Sequence, residues 1–106
     1  MFTIEKSFFD SKLKELEKTL DEFKLTNVEK QVMSNYYVNL LLYEIFKSRK
    51  IEVLTDGLTY VSFSSILGYI LLCLSKNKNF QLIFEGNNFT LKSELKSEDF
   101  KWIKNF

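Results

Sequence analysis

The sequence contains no histidine and no proline, a single cysteine and a single arginine. Histidine is the commonest acid–base group near neutral pH, so its absence removes the usual partner of a catalytic carboxylate. The lone Cys73 cannot form an intramolecular disulfide, which fits a reducing compartment, and its apolar surroundings predict a small buried side chain. Contacts to DNA bases and phosphates rely on arginine, so a chain whose only arginine is Arg49 argues against specific DNA recognition.

Charge patterns and catalytic motifs are equally sparse. The net charge is +1, which provides neither a positive field for nucleic acid nor the acidic character of a DNA mimic. Glycine-rich phosphate loops, metal-ligand clusters and nucleophile motifs are missing. We therefore predict a non-enzymatic protein with no metal and no small-molecule cofactor. Catalysis would need Asp, Glu, Lys, Tyr or Ser groups that only the fold brings together.

Signals for secretion and for a membrane span are weak. The N-terminus lacks a basic region followed by an apolar run, so no signal peptide is predicted. Residues 58–75 carry no charge but include several Ser, Tyr and Gly residues, and the dense apolar part, Ile66–Leu74, is too short for a span. The better interpretation is a core helix in a cytoplasmic protein, which means the host cytoplasm if the chain is phage-encoded.

Apolar and aromatic residues, by contrast, are abundant. Of 106 residues, 45% are hydrophobic and 16% aromatic, and 11 are phenylalanine. This length and composition predict a single globular domain over residues 1–106, large enough to bury a core without disulfides or metal. The frequent Lys, Asn, Phe and Ile have A+T-rich codons, which hints at a low-G+C bacterium or its phage.

The run Tyr36–Phe46 is the stretch around which the other elements are expected to pack. Only Asn39 and Glu44 interrupt its apolar and aromatic residues. It belongs to a helix that a capping box, Thr26-Asn27-Val28-Glu29, begins and that runs to about Arg49. A helix that is apolar on nearly all sides is either covered on most of them or offers a second face to a partner. We expect neighbouring elements to cover it.

The N-terminal segment predicts a strand and an amphipathic helix. Alternation over Met1–Lys6 indicates a short edge strand. Ser7-Phe8-Phe9-Asp10 resembles a capping box with Asp in place of Glu. The helix that follows is expected to end near Lys24-Leu25. Its apolar residues recur every three or four positions, at Phe9, Leu13, Leu16, Leu20 and Phe23.

The C-terminal half predicts two hairpins separated by a helix. Ile51–Leu54 and Leu58–Val61 flank the turn signal Thr55-Asp56-Gly57 and indicate the first hairpin. Residues 80–85 and 89–93 flank Gly86-Asn87-Asn88 and indicate the second. Its first strand is expected to place Phe80, Leu82 and Phe84 on one face.

The fold class that these elements predict is α+β. A helical hairpin and a third apolar helix are expected to pack on a small antiparallel sheet of two β-hairpins, with a short C-terminal helix that begins at Ser97-Glu98-Asp99.

Candidate partner-binding residues come from one stripe of the central helix and from two residue types that anchor interfaces, arginine and tryptophan. Helical spacing aligns Asn35, Asn39, Leu42 and Phe46, and this stripe is either covered by the C-terminal half or forms an exposed contact patch. Aromatic and arginine side chains dominate the centres of protein interfaces. The candidates are therefore Asn35, Asn39, Leu42, Phe46, Arg49 and Trp102.

The order of helices and hairpins also invites comparison with a winged-helix DNA-binding domain. The helix that would enter the major groove is Ser65–Ser75. It consists chiefly of Ile, Leu, Gly, Tyr and Cys and has no basic side chain before Lys76. A recognition helix needs polar groups on its groove face, so direct binding of nucleic acid is the weaker alternative.

In general character the chain resembles small phage-encoded inhibitors of CRISPR nucleases, because it is short, single-domain and lysine-rich and has no active-site motif. The resemblance implies a non-enzymatic inhibitor that binds a larger host protein or nuclease complex by surface complementarity. A DNA-binding regulator and a bacterial immunity protein that neutralises a toxin are the alternatives. The sequence is also compatible with a homodimer, and no membrane partner is expected.

Overall fold

The computed structural model describes residues 1–49, 60–86 and 88–100. Within these ranges the chain forms three α-helices and a three-stranded antiparallel sheet, so the predicted α+β class is confirmed. In chain order the elements are β1 (Phe2–Glu5), α1 (Lys6–Leu20), α2 (Asn27–Ser48), α3 (Tyr60–Ser75), β2 (Phe80–Glu85), β3 (Asn88–Ser93) and a 3-10 turn (Ser97–Phe100).

The sheet has the order β1-β2-β3, with β2 in the centre. The edge strand predicted at the N-terminus is confirmed, and it pairs antiparallel with β2 so that Phe2 lies opposite Phe84. The hairpin of β2 and β3 is confirmed as well. Phe80, Leu82 and Phe84 are buried on one face of β2, as the alternation predicted.

The predicted sheet of two hairpins is not confirmed. The third strand of the observed sheet is β1, from the opposite end of the chain. Tyr60 and Val61, which were expected to end a strand, are the first residues of α3. The remainder of that predicted hairpin, residues 51–59, lies outside the described residues. Short apolar runs of this kind are ambiguous between strand and helix, because periodicity alone does not separate the two.

The beginning of α1 also differs from the prediction. The helix starts at Lys6 directly after β1, with Glu5 as the N-cap and no side-chain capping hydrogen bond. Ser7 is therefore already inside the first turn, so the predicted capping box is wrong. Lys6 instead donates to the Asp10 carboxylate at 2.6 Å, one helical turn along. The helix ends at Leu20, earlier than expected, and leaves Phe23 exposed.

The beginning of α2 is as predicted. The Thr26 hydroxyl accepts a hydrogen bond from the Glu29 backbone N–H at 3.1 Å. The Glu29 carboxylate accepts from the Thr26 N–H at 2.9 Å. This reciprocal pair satisfies two N–H groups that would otherwise lack acceptors, and it fixes where the helix begins. The helix ends at Ser48, with Arg49 as the C-cap.

Phe46 lies at the centre of the hydrophobic core, between α2, α3 and the sheet. Its ring centre is 5.9 Å from that of Phe63 on α3, 5.8 Å from that of Phe84 and 5.3 Å from that of Phe89. Helix α1 contributes Phe9 to the same core, where its ring packs against that of Phe80 on the inner face of the sheet. The core is therefore a single aromatic-rich layer, with the helices on one side and the inner face of the sheet on the other.

Cys73 is fully buried in this core, as predicted for a small apolar side chain. Burial raises the pKa of its thiol, because the thiolate would lose its hydration there. The first residues of the predicted C-terminal helix form the 3-10 turn, and the remainder, residues 101–106, lies outside the described residues. Trp102 lies outside the described residues.

Candidate functional site

The structure separates the residues of the predicted binding stripe. Leu42 and Phe46 have 0% exposure, so they belong to the core and not to an exposed contact patch. Of the two alternatives that the sequence left open, the covered one therefore holds for these side chains. Asn35 is exposed and accepts a hydrogen bond from the Gln31 amide at 2.9 Å. It lines an open cleft of about 440 Å³ between α1, α2 and α3.

The opposite side of α2 carries the largest exposed apolar residues of the helix. We call this surface the α2 apolar face. Five large apolar side chains recur there at helical spacings, each between 38% and 62% exposed: Val32, Met33, Tyr36, Leu40 and Tyr43.

The exposure of this face follows from the way the other elements pack. The buried residues of α2 are Val38, Leu42, Ile45 and Phe46, all on one side, and the partly buried Leu41 packs against the core beside them. The expectation that neighbours cover most of the Tyr36–Phe46 run is therefore wrong for the other side. The sequence did contain the signal, because a helix apolar all round either is buried or has a second face for a partner.

The α2 apolar face is comparable in area to the largest apolar patch of a typical monomer. Side chains of these sizes and exposures present roughly 500 Å² together, and such a largest patch covers about 300–600 Å² and is often functional. A standard protein–protein interface buries roughly 800 Å² of each partner. The face could therefore provide the apolar centre of an interface.

Charged groups lie at the two ends of this face. Glu29 is in the first turn of α2, and its capping hydrogen bonds to Thr26 lower the pKa of its carboxyl. At the other end, the Lys47 ammonium lies 5.4 Å from the centre of the Tyr43 ring. A cation over an aromatic face is weakly attractive at an exposed site. The arrangement is an apolar centre with charged ends, as in the core and rim of a protein interface.

A second feature surrounds Arg49, where α2 ends against the sheet. An open cleft of about 450 Å³ lies there, and we call it the Arg49 cleft. It is lined by Met1, Phe2, Ser48, Arg49, Phe84 and Gly86. The guanidinium carbon of Arg49 lies 3.4 Å from the centre of the Phe2 ring, in van der Waals contact with it.

The Arg49 guanidinium has hydrogen-bonding capacity that the described residues do not use. Its Nε is buried and has no acceptor within the part of the chain that the structure describes. A buried N–H group without an acceptor costs about 1–3 kcal/mol. Such a group is rare in native structures and calls for an explanation, such as a functional role or a bound water or ion.

Two further features are absent from residues 1–49, 60–86 and 88–100. No helix among them is long and apolar enough to cross a membrane. Nor do three or more potential metal-ligating side chains converge anywhere in these ranges.

Comparison with known proteins gives no match to a family model, to a curated protein or to a solved structure.

Proposed function

We propose that the chain is a non-enzymatic protein-binding inhibitor whose contact surface is the α2 apolar face. The observation that carries the proposal is the row of exposed apolar side chains along one side of α2, with Tyr36 at its middle and 62% exposed. Single exposed apolar residues are common on protein surfaces, but a contiguous face of this size is characteristic of interaction sites.

The partner that this face fits is a protein with an apolar groove or helix. An amphipathic helix binds such a surface by placing side chains at i, i+3, i+4 and i+7 against it, which is the spacing that α2 presents. The aromatic side chains Tyr36 and Tyr43 provide large contact areas at low entropic cost. Tyr hydroxyls at the edge of the contact also remain able to form hydrogen bonds.

Among proteins with such a binding surface, we propose a CRISPR nuclease of the host as the target. The support is the general resemblance to small phage-encoded inhibitors, together with a nearly neutral charge. An inhibitor of this charge would act through apolar contact with the nuclease, and not by mimicking the acidic DNA backbone. Inhibition should accordingly depend little on ionic strength, since steering by exposed charges is what salt screens.

Nuclease inhibition with matched variants tests the proposal. Purified CRISPR nucleases are assayed for DNA cleavage with the wild-type chain and with Val32→Lys/Leu40→Lys, which places two charges on the α2 apolar face. The control, Ser11→Lys/Thr19→Lys, adds the same charge at two exposed polar positions of α1. We expect inhibition by the wild type and the control, and loss of inhibition in the face variant.

Two results would contradict the proposal. One is a nuclease that both double variants inhibit equally, which would remove the α2 apolar face from the contact. The other is a purified chain that turns over a substrate by itself while no partner protein is captured from host lysate.

Self-association is a different use of the same face, and it is measured separately. Light scattering of the wild type and of Val32→Lys/Leu40→Lys distinguishes the two uses. A wild type that is monomeric at assay concentration keeps the face available for the inhibited protein. A wild-type dimer that the variant converts to a monomer would assign the face to a second copy and overturn the inhibitor proposal.

A further inference from the structure

We propose that the Arg49 cleft binds a carboxylate group, presented by an acidic side chain of a protein partner. This site is separate from the α2 apolar face. Arg49 follows the core-facing residues Ile45 and Phe46 by one helical turn, so it extends from the side of α2 that faces the sheet. The proposal therefore goes beyond the function proposed above and does not depend on it.

The position of Arg49 is fixed before any ligand arrives. Its backbone N–H donates to the carbonyls of Ile45 and Phe46 at 3.2 Å each, which holds the residue at the end of α2. The Ser48 hydroxyl is held in the same way, by donating to the Ile45 carbonyl at 2.8 Å. The Phe2 ring then supports the guanidinium from one face. An arginine held in this way loses less side-chain entropy on binding than a free one.

The guanidinium is also without an anionic partner in the described part of the chain. Lys6 and Lys30 are paired with Asp10 and Asp21, whereas Nε of Arg49 finds no acceptor. Because Nε itself is buried, a group that enters the cleft would bond to the terminal amino groups of the guanidinium. Arginine has five N–H donors and no acceptor, so this group must supply acceptor oxygens. A carboxylate does so with two oxygens in one plane, which match the N–H groups of a guanidinium.

The acidic residue between the lining residues Phe84 and Gly86 does not fill the cleft. Glu85 follows Phe84 on β2 and is exposed, whereas Phe84 is buried on the inner face. Successive side chains of a strand point to opposite faces of the sheet, so Glu85 projects away from the cleft that Phe84 lines. Glu5, on β1, accepts instead from the Gln81 amide at 3.1 Å.

The end of α2 and the walls of the cleft favour a carboxylate over a phosphate. Arg49 provides the charged side chain of the described lining, and Met1 also lines the cleft. The C-terminal end of α2 also contributes partial negative charge, which opposes a dianion more than a monoanion. Phe2 and Phe84 provide apolar contact for the methylene groups of an Asp or Glu side chain.

The test uses the fact that Arg49 is the only arginine, so the protein has one arginine Nε–H signal in a ¹⁵N–¹H spectrum. The ¹⁵N-labelled full chain is titrated with N-acetyl-glutamate α-amide, which carries a single side-chain carboxylate. N-acetyl-glutamine α-amide is the neutral control, and sodium chloride matches the ionic strength. We expect the Nε–H signal to shift and to saturate at millimolar carboxylate, with no saturable shift in either control.

Variants identify the group that binds. The Gly86 backbone N–H, at the rim of the cleft, reports binding where the arginine signal is absent. Arg49→Gln should abolish the saturable shift of Gly86, and Arg49→Lys should weaken apparent affinity about tenfold, since an ammonium lacks the planar donor pair. Retention of the wild-type spectrum elsewhere shows that each variant is folded.

Three results would overturn the proposal. The first is an equal response to the neutral amide, and the second is a saturable response that Arg49→Gln retains. The third is tighter binding of inorganic phosphate than of the carboxylate at matched ionic strength, which would assign the cleft to a different anion. None of these results bears on the α2 apolar face, because all three concern the opposite side of the helix.

Discussion

The guanidinium of Arg49 and the ring of Phe2 are in contact, with 3.4 Å between the guanidinium carbon and the ring centre. This contact joins the end of the central helix to the first strand of the sheet. It continues the aromatic cluster of the core outward, because the Phe2 ring lies 6.3 Å from that of Phe84. A cation on an aromatic face contributes about 0.5–2 kcal/mol, whereas the buried N–H without an acceptor costs a similar amount.

Replacing Arg49 with Met should therefore leave stability nearly unchanged. Methionine keeps the apolar contact with Phe2. It removes both the attraction between the cation and the ring and the unpaired N–H. We expect the free energy of unfolding, measured in urea, to change by less than about 1 kcal/mol. A loss of more than about 2 kcal/mol would mean that Arg49 serves the fold, which would weaken the case for a binding role.

Two leucines of α2 provide a matched comparison between core and surface. Leu42 is fully buried and Leu40 is 43% exposed, although they are two positions apart in one helix. Leu42→Ala should lower the free energy of unfolding by about 2–5 kcal/mol, because it removes buried methyl groups and leaves a cavity. Leu40→Ala should lower the free energy of unfolding by less than about 1 kcal/mol and should weaken partner binding.

Urea unfolding of both leucine variants, monitored by circular dichroism, measures how much each substitution lowers the free energy of unfolding. Equal destabilisation by the two changes would show that the side of α2 containing Leu40 is covered in solution. The α2 apolar face would then not be available to a partner.

The capping box of α2 predicts both a mutational effect and a pH effect. Thr26→Ala should lower stability by about 1 kcal/mol, since it removes the acceptor of the Glu29 N–H. Hydrogen bonds from Thr26 hold the pKa of Glu29 below its ordinary value of 4.5. The stabilisation by the Glu29 carboxylate should thus be complete above pH 4.5 and lost as the pH falls through the folded-state pKa.

Urea unfolding of the wild type and Glu29→Gln at a series of pH values measures the pH effect. Glutamine keeps an acceptor but cannot ionise, so the stability difference between the two proteins should shrink as the solution becomes acidic. A difference that stays constant from neutral to acidic pH would show that the carboxylate charge does not contribute.

The buried thiol of Cys73 predicts slow chemical modification of the folded protein. The thiolate is the reactive form, and burial both raises the thiol pKa and blocks access. Labelling with a disulfide reagent at mildly alkaline pH should be slow in buffer and fast in denaturant. Because the chain has one cysteine, all labelling reports this residue. Rapid labelling of the folded protein would contradict the buried position.

The parts of the fold that the sequence predicted correctly depend on local patterns. The Thr26–Glu29 capping box lies within four residues, and the alternation of Phe80, Leu82 and Phe84 lies within one strand. The start of α1 was missed because β1 runs into it without a loop, so Ser7 is not at the helix boundary.

The candidate site could be predicted only in part, because it depends on contacts between distant segments. Leu40 and Leu42 look alike in sequence, and only the packing of the sheet decides which of them is buried. Arg49 is a candidate partner-binding residue because of its residue type, but nothing local in the sequence indicates that Phe2 supports it. The roles of Asn35, Asn39 and Trp102 in partner binding stay predictions.

Site-specific photocrosslinking tests the central claim, that the α2 apolar face is the protein-binding surface, most directly. Benzoylphenylalanine replaces Tyr36, at the middle of the face, or Thr90, an exposed position on the outer side of the sheet. Each protein is irradiated with a nuclease that it inhibits. We predict a covalent adduct with the nuclease from position 36 and none from position 90. An adduct from position 90 with none from position 36 would contradict the account.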